Sequence, residues 1–83
     1  MEKEMDMDIQ LFLRYYIELL KEKYNDTLKG PEDETEEDKI FREGKNFAYY
    51  DALDLFDNLI NIRGYDKKPF GVIVPELGKK ADI

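Results

Sequence analysis

Apolar residues recur at helical spacing in two stretches of this chain, and a proline-bracketed tail follows them. In the first stretch, Ile9, Phe12, Leu13, Tyr16, Leu19 and Leu20 fall within about a third of a helical wheel, with Arg14, Glu18, Lys21 and Glu22 opposite. That spacing predicts an amphipathic helix over 9–24. Asp8 is its expected cap, because a carboxylate there can accept from the free N–H groups of the first turn. Met7 and Phe12 then stand at the two staple positions around that cap. The second stretch predicts a long helix over 36–63. Thr35-Glu-Glu-Asp38 has the spacing of a capping box, and Gly64 is placed to close the C-terminus.

The long helix carries two adjacent stripes. One is Phe41, Gly44, Ala48, Ala52, Leu55, Leu59 and Ile62; the other is Tyr49, Leu53, Phe56 and Ile60. Together they span about half of the helix circumference, more than one neighbouring helix covers. Gly44, Ala48 and Ala52 form a shallow groove that suits close helix packing, with Phe12, Tyr16 and Leu19 of the first helix as its natural fillers. The second stripe then needs another cover. It is read as a dimer interface formed by Tyr49, Leu53, Phe56 and Ile60, with Phe70, Val72 and Val74 of the tail as the competing cover. Pro69 and Pro75 bracket Phe70-Gly-Val-Ile-Val74, which argues against helix and for an extended segment over 64–83.

These elements define an all-α chain. It reads as one domain, an antiparallel two-helix hairpin with an acidic loop over 25–35 and a short extended C-terminal tail, expected to dimerise into a four-helix bundle. The length of 83 residues sharpens the dimer expectation, because small cores are marginal without staples or partners. With no Cys there is no disulfide, and with no His the commonest zinc ligand is missing.

Charge adds a second constraint. The net charge is −7, and it is uneven: residues 1–62 carry −9 and residues 63–83 carry +2. An acidic surface disfavours direct nucleic-acid binding. Glu32, Asp33, Glu34, Glu36, Glu37 and Asp38 make six acids in seven residues, a solvated run read as a surface for a protein partner. Met1 to Asp8 alternates charge and has no signal-peptide pattern. No apolar run approaches the ~18 residues of a membrane span. A cytoplasmic protein without membrane attachment is the expectation.

Candidate chemistry is sparse. The chain has no Ser, Cys or His, so no serine or cysteine nucleophile paired with histidine can be built from it. Asn25 to Glu36 has the length of a calcium loop with glycine sixth, but Lys29 occupies a ligand position. Asp51, Asp54 and Asp57 recur every third residue, and facing acids in a helical bundle can hold Mg²⁺. Asp51 and Asp54 are therefore the metal candidates of an alternative reading, a magnesium-dependent all-α nucleotide phosphohydrolase. The principal reading has no catalytic residues, no cofactor and no metal.

Gly44-Lys-Asn-Phe-Ala-Tyr-Tyr-Asp-Ala-Leu53 resembles a segment of small uncharacterised helical-hairpin proteins from Gram-positive bacteria and their mobile elements. The resemblance covers about one helix. It implies no known activity and no functional residue; a regulatory accessory role is a separate expectation. The functional expectation is a non-enzymatic protein-interaction module working as a homodimer, its protein partner unknown. An acidic decoy occupying a nucleic-acid site on another protein is the second alternative.

Overall fold

Two antiparallel helices form the frame. In a computed structural model of the chain, which describes residues 3–83, α1 spans Met7–Asp26 and α2 spans Glu36–Arg63. A single 3-10 turn, Lys68–Phe70, follows in the tail. The molecule is elongated, 50 × 20 × 16 Å, as a hairpin of these helices requires.

Local sequence explains most of the helix ends. Thr35 caps α2 by accepting from the Asp38 N–H at 3.1 Å. Gly64 ends it in the left-handed region at φ 75°, where a side chain would be strained. The α1 cap is Asp6 rather than Asp8: its carboxylate accepts from Asp8 N at 3.0 Å and Ile9 N at 3.4 Å. Asp8 lies within the first turn, where its charge suits the helix dipole. The move displaces the expected staple, and both Met7 and Phe12 are exposed.

The buried faces depart from the expected pairing. Leu53 and Ile60 of α2 pack with Ile17 and Tyr24 of α1, flanked by Leu13, Leu20, Tyr49 and Phe56. Leu53 is 0% exposed within the single chain. The stripe assigned to a dimer interface is therefore the hairpin's own core. The stripe expected to receive α1 faces outward: Gly44 and Ala48 are exposed, and so are Phe12, Tyr16 and Leu19, their expected fillers. The physical reason is where the large side chains stand. Along the middle of α2 the buried face offers Tyr49, Leu53 and Phe56 where the outward face offers only Gly44, Ala48 and Ala52, and the large residues of the outward face, Phe41, Leu55, Leu59 and Ile62, stand to either side of these.

The tail supplies the second cover. It forms no strand among the described residues; its one β-type contact is an isolated parallel bridge from Tyr65 to Lys3. Phe70 stands edge-on to Phe56 with ring centroids 5.3 Å apart, and Ile73 and Ala81 are buried beside it. Val72 points outward, so the cover is Phe70, Ile73 and Val74 rather than Phe70, Val72 and Val74.

Two α1 side chains clip the tail in place. The buried Tyr24 hydroxyl donates to Lys79 O at 2.7 Å and accepts from Gly78 N at 3.2 Å. Asn25 engages both backbone groups of Ala81: its Oδ1 accepts from the Ala81 N–H at 2.7 Å and its Nδ2 donates to Ala81 O at 3.0 Å. Lys67 also reaches Asp57 of α2 at 2.8 Å. Tyr24→Phe leaves these backbone groups short of a partner and is expected to cost about 1–3 kcal/mol in urea unfolding. Hydrogen exchange should show faster exchange at Gly78 with protection retained in the α1–α2 core; uniform loss of protection would mean that the tail and the hairpin unfold as one unit.

Candidate functional site

Among the described residues, the acidic groups do not assemble a metal centre, and no cluster of three or more potential ligands forms. Successive steps of three residues rotate by about 300°, so Asp51, Asp54 and Asp57 diverge around α2. Asp51 is exposed, Asp54 accepts from Asn58 Nδ2 at 3.5 Å, and Asp57 binds Lys67.

The acidic run divides. Glu32, Asp33, Glu36, Glu37 and Asp38 are exposed, as expected of a solvated surface. Glu34 turns inward. Arg42 Nε donates to its Oε2 at 2.8 Å and Arg42 Nη2 to its Oε1 at 3.0 Å, a two-pronged pair. The carboxylate lies over Gly30, where any Cβ would collide with it. Arg42 Nη1 also donates to Thr27 O at 3.1 Å, and Asn46 Nδ2 to Tyr24 O at 2.9 Å. Two polar residues of α2 thus bind backbone carbonyls at the end of α1. The wheel missed them because it scored apolar residues alone. Their positions, 42 and 46, nonetheless continue the spacing of 49, 53, 56 and 60.

A second buried charge lines a cavity of about 420 Å³ between α1 and the tail. Lys21 is buried there, facing Asp82 and Glu18 with Arg14 and Lys68 nearby. Burial lowers its pKa, and the carboxylates of Asp82 and Glu18 oppose that shift.

The largest feature is apolar. Ile9, Phe12, Tyr16 and Leu19 on α1 and Phe41, Leu55, Leu59 and Ile62 on α2 are all exposed, Ile62 at 80%. On each helix this stripe sits anticlockwise of the buried one, by roughly 110° on α1 and 140° on α2 when viewed from that helix's N-terminus. In antiparallel helices the same sense of rotation places both stripes on one side of the hairpin. The tail occupies the other side. Where the helices meet, near the free end of the hairpin, the exposed side sinks into a groove of about 550 Å³ with Ile9, Leu13, Phe56, Leu59 and Ile60 in its walls.

These eight side chains are between 49% and 80% exposed. Gly44 lies inside this surface, in the interior of α2. It has no left-handed backbone, and nothing stands within 4 Å of a Cβ built on it. Glycine at such a position costs about 0.5–1 kcal/mol relative to alanine, and no contact within the chain requires it.

The fold and surface define a class: a helical hairpin closed on one side by its own C-terminal segment and apolar on the other. Compared with models of protein families, with curated proteins and with solved structures, the chain matches none. Among the described residues, no helix is long and apolar enough to cross a membrane.

The Glu34–Arg42 pair gives the site a pH signature. Hydrogen bonds from Arg42 hold the Glu34 carboxyl below its ordinary 4.5, against the opposing effect of partial burial. A lowered carboxyl pKa contributes stability that is complete above 4.5 and is lost as pH falls through the folded-state value. Wild type is therefore expected to be more stable than Glu34→Gln at pH 7, with the gap narrowing on acidification below 4.5. Urea midpoints measured across that range test this; a gap that stays constant into strong acid would contradict it.

Proposed function

We propose that this chain is a non-enzymatic interaction module that works as a homodimer, two hairpins closing a four-helix bundle over their exposed apolar sides. The observation that carries this reading is the exposed face of α1 and α2, where eight large apolar side chains on one side of the hairpin stand 49–80% exposed. Exposure on this scale in a chain of 83 residues is a surface awaiting a cover. The acidic residues that remain solvated, Glu32, Asp33, Glu36, Glu37 and Asp38, lie at the loop end, where they are available to a further protein partner.

Leu59→Glu tests the reading. Leu59 is exposed in the single chain, so the substitution is expected to change the intrachain fold by no more than about 0.5 kcal/mol. At an interface it would bury an unpaired charge. Light scattering should give a dimer for wild type and a helical monomer for the variant. A wild-type dimer left intact by Leu59→Glu would place the interface elsewhere.

A further inference from the structure

Four residues of the exposed stripe of α2 are symmetric about position 50, close to the middle of the helix. Taking Tyr50 as the centre, Phe41 mirrors Leu59, Ala48 mirrors Ala52, and Gly44 falls within one residue of the mirror of Leu55. Within the two mirrored pairs the large side chains stand outside and the small ones inside, while Ile62 at the end of the stripe falls level with Asp38. An isologous two-fold contact needs such a surface, because each residue meets its counterpart on an identical chain.

We infer that the second copy lies antiparallel, with its α2 crossing α2 at Ala48 and Ala52. This rests on the reading that the apolar side is the docking surface, and it adds the orientation and register of the occupant. In this register Leu55 of the second copy sits over Gly44, which accounts for a glycine that no contact within the chain requires. Phe41 of the second copy lies level with Leu59, beside the open groove between the helices.

Charge selects the same orientation. The first turn of α2 carries Glu36, Glu37 and Asp38, and its last turn carries Arg63. In the antiparallel register Glu37 lies level with Arg63 of the second copy. The acidic start of each helix, with its positive dipole end, then faces the basic finish of the other. A parallel copy would stack three carboxylates on three carboxylates and align the two dipoles.

The chain contains no cysteine, so a single engineered one is a unique label site. Spin labels on Glu37→Cys and, separately, on Arg63→Cys should report distances of about 40 Å within the dimer, from 26 residues of helix rise in each case. A label on Asp51→Cys, next to the proposed axis, should report less than about 20 Å. Short distances at all three sites would mean a parallel copy and overturn the register while leaving the apolar side as the interface. Absence of dipolar coupling together with a monomer mass would overturn both readings. Gly44→Leu provides an independent check. The single chain has room for the side chain, and in the dimer it would occupy the place of Leu55, so Kd should rise at least tenfold. An unchanged Kd would overturn the register.

Discussion

Two cylinders touch along a line, and everything in this fold follows from how little one helix covers of another. α2 carries apolar residues around about half of its circumference, and α1 can shield only part of that arc. The chain shields the face whose large side chains, Tyr49, Leu53, Phe56 and Ile60, run unbroken along α2. Leu53 and Ile60 go against Ile17 and Tyr24, and the tail brings Phe70 and Ile73 to the flank. That leaves the stripe of Phe41, Leu55, Leu59 and Ile62 with no cover in the chain. The stability of the hairpin and its proposed association are two consequences of one surplus.

Polar contacts determine where the hairpin begins and ends. Helix termini leave backbone groups free, and a hairpin this small cannot leave them buried and unpaired. Arg42 and Asn46 bind backbone carbonyls at the end of α1, and Arg42 at the same time draws Glu34 inward and folds the loop. Tyr24 and Asn25 serve the tail in the same way through the backbone of Gly78, Lys79 and Ala81. Buried side-chain polar atoms among the described residues are accordingly paired. These few bonds align α1 and α2 and keep the tail on one side.

The local features were legible and the tertiary choice was not. Thr35 and Gly64 mark the ends of α2 because capping depends on a few adjacent residues. Asp8 is the expected cap of α1, and the path of the chain gives that place to Asp6, a carboxylate of the same kind two positions earlier. The wheel found both apolar stripes of α2 but could not rank them. Small residues suggested close packing with α1, whereas α1 lies against the unbroken row of Tyr49, Leu53, Phe56 and Ile60. Arg42 and Asn46 escaped notice because a search for apolar periodicity passes over polar residues at the same spacing. Gly44 and Ala48 of the small-residue stripe, expected to receive α1, are exposed instead.

An acidic hairpin with one closed and one open side is suited to holding another protein surface, and the account takes that surface to be its own copy. Sedimentation equilibrium over a range of micromolar concentrations addresses this directly. A species of twice the 9.9 kDa chain mass that dissociates on dilution to a helical monomer is expected. A stably folded particle of 9.9 kDa at every concentration would contradict it.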